Sequence, residues 1–144
     1  MDRAKNVLTT FTAQGTASVV AFASRLANGH TLITDSNNSR IVEVDASDRV
    51  VGHYVTNTDP ASDPAPLPTR AVRLRDGNTL MSDQFNHRVI EVDANGRIVL
   101  TFGNLNVAGF GTGHARQGLN GPYDAEVIGD FTGLTAPVGQ QGGH

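Results

Sequence analysis

The sequence predicts an all-β protein assembled from repeated four-stranded antiparallel units, and three observations point there. The first is an internal repeat. Leu26–Val51, LANGHTLITDSNNSRIVEVDASDRVV, returns 48 residues later as Leu74–Val99, LRDGNTLMSDQFNHRVIEVDANGRIV, with 13 of 26 positions identical. Self-similarity at such a period marks a chain built by stacking one supersecondary unit. The second is composition: 16 Gly and 6 Pro against two Tyr, six Phe and no Trp favour short strands joined by many turns over a helical core. The third is that the strands are apolar on both faces. In Arg88-Val89-Ile90-Glu91-Val92, Ile90 and Val92 point one way and Val89 the other, which suits a sheet covered on both sides rather than one with a wet face.

Taken in order, Asn6-Val7-Leu8-Thr9-Thr10-Phe11 is a β-prone run similar to Ile98-Val99-Leu100-Thr101-Phe102, and reads as the last strand of an earlier unit. Val19 to Leu26 is the first strand of the first complete unit. Asn28-Gly29 supplies a turn that accepts positive φ. His30 to Thr34 is the second strand, Asp35 to Ser39 a polar turn in which short side chains bond nearby amides, Arg40 to Asp45 the third strand, and Val50 to Thr56 the fourth. Asn57 to Pro68 holds four of the six prolines and cannot continue a ladder, so it carries the chain to the next unit.

The second unit repeats the plan, with strands near Thr69 to Leu74, Thr79 to Asp83, Arg88 to Asp93 and Ile98 to Phe102. A glycine-rich connection, Gly103 to Gly121, follows. Pro122 to Ile128 resembles Pro68 to Leu74 and starts a third unit, with a strand expected over Tyr123 to Ile128; the unit does not finish, and 129–144 reads as a Gly-rich tail. The expected organisation is therefore two complete units at about 18–56 and 69–102, with partial units at 5–11 and 118–128.

The bulk numbers narrow the function classes. A net charge of -3 argues against nucleic acid, which needs a basic face. No Cys is present, so a metal would need imidazole and carboxylate ligands. No apolar run reaches the ~18 residues of a membrane span. MDRAKNVLTTF lacks the apolar core of a secretory signal, so the expectation is a cytoplasmic chain as written, or a secreted parent if the chain is a piece of a longer protein.

Gly-x-Thr-Leu followed by Asp-x-x-Asn-x-Arg-[IV]-[IV]-Glu-Val-Asp occurs twice, at Gly29–Asp45 and Gly77–Asp93, with a Pro-x-x-Ala entry at Pro68 and Pro122. These units resemble NHL-type β-propeller repeats over roughly residues 5 to 128; pyrroloquinoline-quinone-like and arylsulfotransferase-like propellers share parts of the pattern. The resemblance implies four-stranded antiparallel blades, each sandwiched between neighbours in a ring of about six. Two complete blades fall short of a ring. The chain is then a fragment of a larger propeller, or one subunit of a homo-oligomer in which three copies of two blades close the ring.

The recurring polar set Asp35, Asn38, Arg40 and Asp83, Asn86, Arg88 is expected to hold the fold, with Asp capping the turn, Asn in the left-handed position and Arg tying the turn to a carboxylate, because sites rarely repeat around a ring. Glu43, Asp45, Glu91 and Asp93 are expected to pair with Arg40, Arg49, Arg88 and Arg97 at the strand ends. The histidines do not repeat. In some propeller enzymes of this kind, histidines at one end of the blades hold a metal, and the resemblance offers His87 and His114, with Asp59 or Asp63, as ligands of a divalent ion. No other cofactor is expected. The preferred function is a non-catalytic module that binds a protein or small molecule, or scaffolds, through the loops Asn57 to Pro68 and Gly103 to Gly121. The alternative is a metal-dependent propeller lyase or hydrolase using the loop histidines.

Overall fold

The computed structural model describes residues 7, 10, 11, 19–109 and 118–130. Eight strands form two antiparallel sheets in simple meander order. The first sheet is β1 (Val20–Arg25), β2 (Thr31–Asp35), β3 (Arg40–Val44) and β4 (Val50–Val55); the second is β5 (Arg70–Arg73), β6 (Thr79–Asp83), β7 (Arg88–Val92) and β8 (Ile98–Gly103). Strand limits move by a residue or so from expectation. β2 starts at Thr31 and includes Asp35, because Asp35 pairs with both Val20 and Arg40 in the ladders.

Each hairpin uses local chemistry that the repeat conserves within the chain. Gly29 and Gly77 close the first turn of each sheet at φ 88° and 94°, donating to Leu26 O and Leu74 O. At the third turn the Asp45 carboxylate accepts the amides of Ser47 and Arg49, and Asp93 accepts those of Asn95 and Arg97, a side-chain mimic of a backbone turn. Between the second and third strands the chain makes one 3-10 turn, Ser36–Asn38 and Gln84–Asn86. The left-handed residue there is Ser39 or His87, at φ 53° and 54°, rather than Asn38 or Asn86. The asparagine side chain is needed elsewhere and stays inside the 3-10 turn.

The two sheets stack face to face. Leu32 and Ile41 from the first meet Ala71, Met81, Ile90 and Val92 from the second in one core, with Leu26 and the ring of Tyr54 closing it. Both outer faces of this pair are apolar too. Ile33, Val42 and Val44 pack against Phe11 on one side; Val72, Leu74, Leu80 and Val89 pack against Leu119 and Ala125 on the other. Burial on both faces is what the unbroken Val/Ile/Leu runs required.

The third unit departs from expectation. Tyr123–Ile128 lies beside β5 but forms no strand. Thr69 Oγ1 donates to Tyr123 O at 2.6 Å, Arg70 pairs with Asp124 at 2.7 Å, and Ala125 packs against the second sheet. Those contacts place the segment without giving it a ladder partner, and a lone strand has nowhere to send its remaining amides and carbonyls. Of the early unit at 5–11 only three residues are described, and the tail beyond Asp130 lies outside the described residues.

Gly103 separates a steric requirement from a conformational one. It sits at φ 91°, and a Cβ added there would collide with the backbone carbonyl of His87, whereas a Cβ at Gly77 (φ 94°) meets open space. Gly77→Ala should therefore cost about 1–2 kcal/mol from the left-handed backbone alone. Gly103→Ala should cost clearly more, because β8 must shift to admit it. Urea unfolding of the two variants measures the difference, and equal losses would contradict this placement of β8 against His87.

Candidate functional site

The repeated polar motif is a structural clamp. Asp83 is fully buried; its Oδ2 accepts from Arg88 Nε at 2.7 Å and Asn86 Nδ2 at 2.9 Å. Asn86, equally buried, also donates to Thr56 O at 3.0 Å and accepts the amide of Asp63 through Oδ1 at 2.8 Å. One side chain thus joins the 3-10 turn of the second sheet, the end of the first sheet and the proline-rich linker. In the first sheet, Arg40 Nε donates to Asp35 Oδ2 at 2.8 Å and Asn38 Nδ2 reaches both Asp35 oxygens at 3.0 Å. The aspartate does not cap the 3-10 turn with its side chain; it accepts instead from the asparagine and arginine that the motif supplies, in Asp83 through Oδ2.

The acidic residues at the strand ends divide into two kinds. Asp45 pairs with Arg49 and Asp93 with Arg97, each at 2.8 Å and within one hairpin. Glu43 does not pair with Arg40. It reaches across to the other sheet, where Arg73 Nη2 meets Oε2 at 2.7 Å, while His30 Nδ1 lies 2.7 Å from Oε1. Arg73 Nε donates to Thr79 Oγ1 at 3.0 Å. Glu91, the repeat equivalent of Glu43, accepts from Asn78 at 2.6 Å. Arg73 was not identifiable from sequence, because its partner belongs to a different unit. The available signal was that Arg25 and Arg73 stand at equivalent positions ahead of Gly29 and Gly77.

A cleft of about 220 Å³ opens along the outer part of this joint, lined by Glu43, Gly52, His53, Tyr54, Arg73 and Asp93 among others. Gly52 makes room for it, since the repeat places Leu100 at the equivalent position. Burial raises the pKa of the Tyr54 phenol above its ordinary value, with the nearby Arg88 charge opposing.

The loops gather at the end of the sheets that carries the 3-10 turns. Phe85 N donates to Pro66 O, and Gly121 N donates to His87 Nδ1 at 3.0 Å. His87 therefore already uses one ring nitrogen to hold the second connection. Asp59 and Asp63 each accept an amide two residues on, from Ala61 and Ala65, so their carboxylates shape their own loop. Among the described residues no three His, Asp or Glu side chains are grouped to hold a metal ion. His114 lies outside the described residues. No described helix is long and apolar enough to cross a membrane.

Two four-stranded meanders stacked through a shared core define blades of a propeller-like, all-β fold. No protein-family model matches the chain, and no curated protein matches it in sequence. Among solved structures it is similar to a catalytically inactive variant of virginiamycin B lyase from Staphylococcus aureus with quinupristin, at 14% identity and a TM-score of 0.52 over 68% of this chain. It is likewise similar to a streptogramin B lyase, at 14% identity and a TM-score of 0.51 over 67% of this chain. At this identity the likeness is one of fold. The chain covers 31% and 30% of the length of those proteins.

The two clamps differ in burial, and their variants should differ accordingly. Asp83→Asn leaves the Arg88 side chain, 8% exposed, without its counter-charge and should cost about 3–5 kcal/mol. Asp35→Asn leaves Arg40, 21% exposed, with some access to water and should cost about 1–3 kcal/mol. Chemical denaturation of both variants checks the order; a smaller loss for Asp83→Asn would contradict it.

Acid should weaken the fold through Glu43, Asp45 and Asp93. Burial pushes the Glu43 carboxyl up, but hydrogen bonds from Arg73 and His30 outweigh it; the Arg49 and Arg97 amides lead in lowering Asp45 and Asp93. A lowered carboxylate contributes stability above its unfolded pKa of about 4 that is lost as pH falls through the folded value. Asp83 has the opposite sign, since burial outweighs Arg88 and Asn86 and raises its pKa; its ionisation costs stability as pH rises from the unfolded toward the folded value. The urea midpoint should fall between about pH 5 and pH 3, and Glu43→Gln should flatten that fall. An unchanged slope in the variant would remove Glu43 from the account.

Proposed function

We propose that this chain is part of an NHL-like β-propeller, a fragment of a larger one or a subunit of an oligomeric one, that acts as a non-catalytic binding or scaffolding module, presenting the loops Asn57 to Pro68 and Gly103 to Gly121 at one end of its blades. The observation that carries this reading is where the polar residues are used. Asp83, Asn86 and Arg88 hold one another and the linker, Asp59 and Asp63 shape their own loop, and His87 anchors the amide of Gly121. Side chains occupied in this way give the bases of the two loops a fixed position from which a protein or small-molecule partner can be met. The Asp-x-x-Asn-x-Arg pattern supports the NHL-like assignment within the propeller fold.

The competing reading is a metal-dependent lyase or hydrolase in which His87 and His114 are ligands. Calorimetric titration of metal-stripped protein with Zn²⁺, Mn²⁺ and Mg²⁺ separates the two. The binding-module reading expects no stoichiometric uptake. Uptake of one ion per chain that is lost in both His87→Ala and His114→Ala would overturn it in favour of the enzyme.

A further inference from the structure

We propose that the outer face of the second sheet is a docking surface for a second copy of this chain, and that copies join head to tail by repeating the internal joint. The proposal rests on the propeller reading above and adds the identity of the neighbour. The internal joint has two sides. The first sheet presents Ile41, Glu43 and Tyr54; the second receives them with Met81, Ile90, Val92 and Arg73. Adding 48 to the first set gives Val89, Glu91 and Phe102, on the outer face of the second sheet, where Phe102 pairs across from Val89 and Leu100 from Glu91.

Among the described residues, the outer strand of that face lacks its complement, while Leu119 and Ala125 cover the rest. Phe102 is 56% exposed and Leu100 42%, whereas Tyr54 is packed into the joint. Glu91 has the Asn78 amide, and no described cation pairs with it as Arg73 pairs with Glu43. Subtracting 48 from the receiving set gives Ile33, Val42, Val44 and Arg25, which form the outer face of the first sheet. Arg25 is exposed, with its guanidinium 5.0 Å from the Phe11 ring centroid and Nη1 donating to Gly29 O. One end of the chain thus carries the carboxylate and aromatic ring of the joint, and the other end the cation and aliphatic floor. Such a pair of unlike, complementary surfaces makes a heterologous contact that closes when the rotation permits.

The chain's own segments mark where the neighbour seats. Phe11, last residue of a run similar to that ending in Phe102, lies on Ile33, Val42 and Val44 as Tyr54 lies near Met81, Ile90 and Val92. Pro122–Ile128 lies beside β5 as β5 lies beside β1. In the joined form Phe102 of one copy replaces Phe11 of the next, and β1 of the next replaces Pro122–Ile128. Because the chain covers 31% of the length of a solved propeller chain, three copies match one ring.

The test is the association of the full chain, by sedimentation velocity across concentration, for the wild type, Arg25→Glu, Glu91→Arg and the double variant. The wild type should associate toward three chains, each single variant should associate at least tenfold more weakly, and the double variant, which restores opposite charges across every joint, should recover. Far-UV circular dichroism confirms folding, and Phe102→Ser provides a charge-independent variant that should also weaken association. A wild type that stays folded and monomeric at millimolar concentration would overturn the proposal while leaving the propeller reading intact. Association indifferent to both charges and to Phe102 would overturn it equally.

Discussion

A sheet that is apolar on both faces cannot stand alone in water, and everything else in this chain answers that constraint. Each four-stranded meander has too little mass to bury two faces by itself, so stability comes from the contact between consecutive units. Leu32 and Ile41 against Met81, Ile90 and Val92 make that contact. Full burial of side chains of this size contributes roughly 1.5–3 kcal/mol each, which makes the joint the largest single source of cohesion between the sheets. The Glu43–Arg73 pair sits at its rim, where it contributes modestly to stability and more to setting the angle and register of one sheet on the other.

The polar clamp solves a second problem created by the first. Stacked sheets need long excursions between units, and those excursions must be fixed to the blade ends or the joint loses its register. Asn86 does this with three contacts, to Asp83, Thr56 and the Asp63 amide. Its burial explains why the motif is so strict: an asparagine supplies two donors and an acceptor in one plane, and the neighbouring arginine neutralises the aspartate that orients it. The same geometry fixes His87 in the left-handed position, from which its imidazole reaches Gly121. Loop placement therefore follows from fold maintenance.

Much of this was legible in the residues, and what was not has a common cause. The 48-residue repeat, the two-faced apolar strands and the Asn-Gly turn predict the eight strands nearly to the residue, because those signals are local. The within-hairpin pairs Asp45–Arg49 and Asp93–Arg97 were legible for the same reason. Glu43 was assigned to a cation in its own unit and instead meets Arg73 of the next, a contact that depends on how two sheets stack. Asn38 and Asn86 suit a left-handed turn by type, yet the structure places Ser39 and His87 there, since in both copies the amide side chain is engaged by the aspartate that opens the turn. Tyr123–Ile128 carries a strand-like sequence without a ladder, because strand formation needs a partner that the segment does not find among the described residues.

The two sheets form one cooperative structure through their shared core. Met81, 1% exposed, belongs to the second sheet but faces the first, so Met81→Ala followed by amide hydrogen exchange tests it most directly. Protection in β2 and β3 should fall together with protection in β6 and β7, by the same factor, as one unit opens. Loss confined to β5–β8, with β2 and β3 as protected as in the wild type, would show that the sheets are stabilised separately and would contradict it.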